Sequence, residues 1–170
     1  MSSHLKISCA MMVLFAFAAF AAETEYLANS HFQNGAEGWT CTGNVAFQQD
    51  GADVVLLAGG EKKAMLIQPD LKPPLAAPLT ISWEAEGDGG AARYRIYLET
   101  SDNINGAYGN HDSYGTPVWR DAQPGWKPCR VDLSLPNPFD YCYLVLQIAG
   151  DSTHPVRLRN LSFRLDENAP

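Results

Sequence analysis

From residue 23 onward the chain is a succession of short runs in which apolar and polar side chains alternate, and none of it repeats with a helical period. Alternation with a period of two gives each strand one dry and one wet face, so such a chain builds half-buried antiparallel sheets. LTISWEAEG (79–87) puts Leu79, Ile81, Trp83 and Ala85 on one face and Thr80, Ser82, Glu84 and Glu86 on the other. ARYRIYLET (92–100) turns Tyr94, Ile96 and Leu98 one way and Arg93, Arg95, Tyr97 and Glu99 the other. YCYLVLQIAG (141–150) sends Cys142, Leu144, Leu146 and Ile148 inward and Tyr141, Tyr143, Val145 and Gln147 outward. CRVDLSL (129–135) aligns Cys129, Val131, Leu133 and Leu135. DVVLLAG (53–59) and KAMLIQ (63–68) read as apolar strands joined by the turn GGEK, and LKPPLAAPL (71–79) as a proline-rich crossover. VRLRNLSFRL (156–165) closes the chain, with a slip in its alternation at Asn160-Leu161 that predicts a bulge. Stretch 101–125 is irregular, with room for a strand through Pro117–Arg120. About eight strands between Gly, Pro, Asn and Asp turns predict an all-β fold, an antiparallel β-sandwich with jelly-roll connectivity.

Residues 1–22, MSSHLKISCAMMVLFAFAAFAA, have the make-up of a secretory signal peptide: Lys6, an apolar core over 7–20, and the small-x-small sequence Ala19-Phe20-Ala21. The apolar run is shorter than the roughly 20 residues that span a bilayer. The expectation is a secreted protein, extracellular or periplasmic, with a single β-sandwich domain over 23–170 and no membrane association after cleavage. Those 148 residues carry 11 Lys and Arg against 19 Asp and Glu, a net charge of −8. Such a surface argues against nucleic acid or an anionic membrane as partner and favours a neutral or cationic one. Three cysteines remain after the leader: Cys41, Cys129 and Cys142. Export permits a disulfide, and the odd count leaves at least one thiol without an intramolecular partner. No Cys129–Cys142 bridge is expected, because each opens its own strand and antiparallel starts lie at opposite ends of a sandwich. Cys41–Cys129 stays open as a pairing.

The stretch LANSHFQNGAEGWT (27–40) resembles the entry of carbohydrate-binding modules of families four, nine and twenty-two, which pass from Asn through Phe and a glycine-rich turn to Gly-Trp. LIQPDL with LTISWEAEG, GWKPCRVDLSLP, and VRLRNLSFRL are similar to three further segments of those modules, in the same order. The resemblance runs from about Leu27 to Leu165 and implies a galactose-binding-domain-like jelly roll. It implies that the first strand lies beside the last and that Trp39 plugs the core. It also implies core positions for Trp83 and Trp126, leaving Trp119 as the tryptophan without a core role. In many such modules an acidic residue after Phe and another in the last strand hold a structural calcium. The matching residues here are Gln33 and Asn160, neutral amides without the charge that makes such sites tight; they are the candidate ligands of a weak structural calcium, and no other cofactor is expected.

The function implied is non-catalytic binding of a neutral oligo- or polysaccharide. Aromatic faces cover the C–H face of a sugar, and planar polar groups pair with its hydroxyls. The wet faces of 92–100 and 141–149 offer that mixture in Arg95, Tyr97, Tyr143 and Gln147, with Glu99 and Tyr141 beside them. If the two strands share a sheet, those residues line one concave surface. The stretch 101–125 adds Tyr108, His111, Asp112, Tyr114 and Trp119 as a wall. The proposed ligand-binding set is therefore Arg95, Tyr97, Trp119, Tyr143 and Gln147.

Two other classes compete. A secreted structural or adhesive protein would use the same fold to bind protein, through a contiguous apolar patch. A small glycosidase would need two converging carboxylates, and Glu84 and Glu86 share a strand face with Asp88 nearby. The chain has no nucleophile elbow, zinc-protease motif or phosphate loop.

Overall fold

Ten strands and no helix make up the described residues of the computed structural model, which are 24–58, 63–89, 92–102, 111–149 and 154–166. Residues 1–22, the GGEK stretch and Tyr108 lie outside them. The strands are β1 (Thr40–Thr42), β2 (Val45–Asp50), β3 (Asp53–Ala58), β4 (Ala64–Gln68), β5 (Leu79–Glu86), β6 (Arg93–Ser101), β7 (His111–Asp121), β8 (Lys127–Leu133), β9 (Tyr141–Ala149) and β10 (Val156–Leu165). They form two antiparallel five-stranded sheets. The front sheet has the order β1-β4-β9-β6-β7, and the back sheet β2-β3-β10-β5-β8. This is the jelly-roll β-sandwich that the alternation predicts.

The inward faces meet as read from phase. Leu79, Ile81, Trp83 and Ala85 of β5 are buried, as are Tyr94, Ile96 and Leu98 of β6 and Cys142, Leu144, Leu146 and Ile148 of β9. Each large aliphatic or aromatic side chain buried there stabilises the fold by about 1.5–3 kcal/mol. Trp83 meets Tyr94 of the opposite sheet edge to face, with centroids 6.2 Å apart. Burial pushes the Tyr94 hydroxyl up to about 12, and its hydrogen bond to Cys129 adds to the shift.

The entry stretch is a closed turn rather than a strand. Asn29 and Phe32 both adopt left-handed backbone, at φ 51° and 55°. Asn29 offsets that strain by organising the loop. Its Nδ2 donates to the carbonyls of Gly35 and Glu37, and its Oδ1 accepts from the Asn34 amide. The turn delivers Phe32, fully buried, against Trp39 and Phe47, with both ring centroids at 5.5 Å. Gln68 of β4 fastens it from below, donating to the Ala28 carbonyl at 2.7 Å. Gly38, at φ +80°, passes so close to Gln68 that a Cβ would sit 3.1 Å from its Nε2. The segment just before the turn lies beside the last strand. Glu25 pairs with Arg164, and its carboxylate accepts from the Phe163 amide and the Ser162 hydroxyl.

Four expectations need correction. β3 and β4 are not a hairpin: they belong to opposite sheets, so the chain crosses the sandwich between them. Stretch 101–125 is less irregular than it reads, because β7 spans His111–Asp121. Its Pro and Gly, poor strand residues, are tolerated on a strand at the sheet edge. Trp126 is half-buried outside the core. Cys41, Cys129 and Cys142 are all free thiols. Cys41 lies in an edge strand of the front sheet, and Cys129 in an edge strand of the back sheet on the far side of the sandwich. Cys129 and Cys142 are likewise in different sheets.

The bulge in β10 is real. Arg159 pairs with Glu84 and Ser162 with Ser82, so β10 carries one extra residue, and Asn160 takes it up in left-handed backbone at φ 53°.

Candidate ligand-binding face

β6 and β9 are antiparallel neighbours in the centre of the front sheet, so the outward residues of the two strands stand in rows. Arg95 pairs with Gln147, Tyr97 with Val145, Glu99 with Tyr143, and Ser101 with Tyr141. Residues paired across a ladder point to one face. β4 extends the first two rows with Met65 and Ile67, opposite Gln147 and Val145.

β7 brings in Trp119. Tyr94 pairs with Arg120 and Ile96 with Thr116, so β7 holds two more residues than β6 between these points. The insertion falls on Pro117–Trp119, at the sheet edge, where a proline without an N–H costs no ladder bond. The bulge turns the Trp119 indole to within 5.1 Å of the Arg95 guanidinium, centroid to carbon. Among the described residues Arg95 is held by neutral acceptors alone. Its Nε and Nη2 donate to Gln147 Oε1 at 2.8 and 2.6 Å, and its Nη1 to the Pro117 carbonyl at 3.0 Å. It also lies 5.3 Å from the Tyr97 ring. Lys63, exposed just before β4, places its Nζ 5.3 Å from the same Trp119 ring.

Arg95, Tyr97, Trp119 and Gln147 thus form one contiguous cluster. Tyr143 stands in the next row but one, paired with Glu99, and stacks side by side with Tyr141 at 6.4 Å and 15°. Tyr97 is on this face but is not open to water: it is 7% exposed. Burial raises its hydroxyl pKa, against the lowering effect of Arg95. It is a floor residue rather than a platform. At the far end His111 Nδ1 lies 3.2 Å from Glu99 Oε1. Beyond it opens a polar cavity of about 410 Å³, lined by residues including Thr100, Ser101, His111 and Asn137. Asp112 and Tyr114 do not join the face. Tyr114 packs against the core, and its hydroxyl donates to Asp112.

Sequence reasoning missed Lys63, Met65 and Ile67. Their phase was readable, since they alternate with buried Ala64, Leu66 and Gln68. It also misassigned Trp126, whose position shares parity with the exposed Arg130 and Asp132 of β8. The Trp126 ring lies on the outer face of the back sheet, 4.2 Å from the Arg159 guanidinium and 5.1 Å from that of Arg157. These two arginines lock the carboxylates that would have formed a glycosidase pair. Arg159 binds Glu84 and Asp53; Arg157 binds Glu86 and Asp50.

Gln33 and Asn160 do not suit a calcium ion. Gln33 is exposed on the entry turn, and Asn160 directs its Nδ2 to Glu84 at 3.2 Å. Among the described residues no three His, Cys, Asp or Glu side chains converge on one point.

No family model matches the chain, and no curated protein sequence is significantly similar to it. Solved structures match its fold. A family 16 carbohydrate-binding module aligns over 81% of this chain and 98% of its own, with a TM-score of 0.63 at 14% identity. The CBM22-1 xylan-binding domain of Paenibacillus barcinonensis Xyn10C aligns over 87% and 98%, at TM-score 0.60 and 18% identity. TmCBM61, solved in complex with β-1,4-galactotriose, aligns over 84% and 99%, at 0.59 and 13%. The chain has the jelly-roll fold of carbohydrate-binding modules.

Proposed function

We propose that the protein is a secreted, non-catalytic carbohydrate-binding module, with residues 1–22 as its leader and 23–170 as its single domain. A glycan with a neutral backbone lies across the concave outer face of the front sheet. Trp119 and Tyr143 stack on sugar rings, Arg95 and Gln147 pair with hydroxyls, and Tyr97 forms the floor. The observation that carries this reading is the gathering of these rings and planar polar groups on the rows of β6, β9 and the β7 bulge. Structures of the same fold have been solved with oligosaccharide bound, among them the module in complex with β-1,4-galactotriose.

The alternatives have less support. Glu84 and Glu86 are each engaged by an arginine, an arrangement suited to structure rather than to acid–base work. Among the described residues the large exposed hydrophobics are Leu75, before β5, and Val118, in β7, single side chains that form no patch for a protein partner. A glycan-array screen of the mature protein, repeated with Trp119→Ala, tests the reading. Binding of at least one glycan that Trp119→Ala removes is expected; an array without signal shifts the weight to protein binding.

A further inference from the structure

The front face carries positive charge that no described carboxylate answers. In the back sheet every described arginine meets a carboxylate: Arg130 with Asp132 and Asp166, Arg157 and Arg159 as above, and Arg164 with Glu25. Arg95 and Lys63 meet none among the described residues, although Asp and Glu outnumber Lys and Arg by 19 to 12 in the chain. Both cations lie against one indole, at 5.1 and 5.3 Å from its centroid. Two like charges sharing a ring repel each other, and cation–π attraction at an exposed site is worth only about 0.5–1 kcal/mol. The acceptors that fix Arg95, Gln147 Oε1 and the Pro117 carbonyl, position the guanidinium without neutralising it. A guanidinium has five N–H donors, and three of those of Arg95 are used by described residues, leaving two beside the Lys63 ammonium, which pairs with no described carboxylate. Ionised donors held in place next to an aromatic ring suit a carboxylate on a sugar.

Resting on the glycan reading above, we propose that the Lys63–Trp119–Arg95 end of the face takes the carboxylate of a uronic acid unit borne by an otherwise neutral glycan. Trp119 stacks on the uronate ring, and Lys63 and Arg95 pair with its carboxyl group. The opposite end, with Glu99 beside Tyr143 and Tyr141, takes neutral sugars. The face is therefore polar along its length and orients the chain it binds.

The test uses glucuronic-acid-substituted xylo-oligosaccharides and uronate-bearing galactan fragments, each beside its carboxyl-reduced counterpart, in calorimetric titrations of the mature protein. The acidic form of at least one backbone should bind about five- to tenfold more tightly than its reduced form, the range of one exposed charge-assisted contact. Lys63→Gln, at an exposed position, should erase most of that preference while leaving affinity for the reduced form unchanged, whereas Arg95→Gln, at a residue that also pairs with hydroxyls, should weaken both forms and the acidic one more. Equal affinity for acidic and reduced forms overturns the uronate assignment and leaves the glycan reading standing. A preference that survives in both variants places the carboxylate elsewhere and also overturns it. If neither form of either backbone binds and the array is silent, the glycan reading fails and the assignment with it.

Discussion

Both sheets carry a tryptophan against arginine on their outer face, and the two stacks are wired differently. On the back sheet Trp126 lies beneath Arg157 and Arg159, and four carboxylates, from Asp50, Asp53, Glu84 and Glu86, complete the charge balance. On the front sheet Trp119 lies near both Arg95 and Lys63, and among the described residues only neutral groups hold Arg95. A closed network spends its donors on the protein itself and ties β3, β10 and β5 together. An open one keeps donors for something outside. The same residue types therefore serve cohesion on one face and recognition on the other, and the counter-charges decide which.

The largest effect should come from what lies beneath both faces. Trp83→Ala removes a buried ring that spans the two sheets and should lower unfolding free energy by about 3–5 kcal/mol, measured by urea denaturation. Next comes the exchange that could break the comparison. Trp119→Ala should weaken glycan binding by more than tenfold with little change in melting temperature. Trp126→Ala should leave binding alone and lower stability by about 1 kcal/mol, the scale of exposed cation–π and ion-pair contacts. Tyr97→Ala should do both, because Tyr97 is a buried floor residue as well as part of the face.

Alkaline pH sharpens the distinction between core and face. Burial raises Cys142 from 9.0 to about 12 and Tyr94 from 10.0 to about 12. The unfolded chain releases these protons first, so stability is intact below pH 9 and falls as pH rises from there toward about 12. Denaturation midpoints across that range should decline, with Cys142→Ala showing the smaller decline. The smallest effect expected is that of a chelator. With Gln33 exposed and Asn160 engaged by Glu84, removal of calcium should shift the melting temperature by about a degree or less.

The sandwich was legible because alternation is a local property: a strand's inward residues are fixed by its own sequence, as in β5, β6 and β9. The fold class allows β6 and β9 to share a sheet without requiring it, and their pairing in the fold brings Arg95, Tyr97, Tyr143 and Gln147 to one face. Pairing across the sandwich was not legible. β3 and β4 read as a hairpin because their spacing is short, yet the chain crosses between sheets there, and only long-range contacts decide that. The position of Trp119 depends on a two-residue bulge whose register involves β6, so no window around Trp119 could reveal it. Trp126 differs for another reason: the family position and an apolar phase point inward, but its residue shares parity with the exposed Arg130 and Asp132, which turns the ring outward.

The claim that the open stack is the ligand face and the closed stack is not can be tested in one titration. The chain has four tryptophans, Trp39, Trp83, Trp119 and Trp126, so its indole N–H resonances can be assigned by single substitutions and followed as a glycan from the array is added. The Trp119 resonance should shift in proportion to saturation while that of Trp126 stays in place. A shift at Trp126 with Trp119 unmoved would put the ligand on the back sheet and contradict the account.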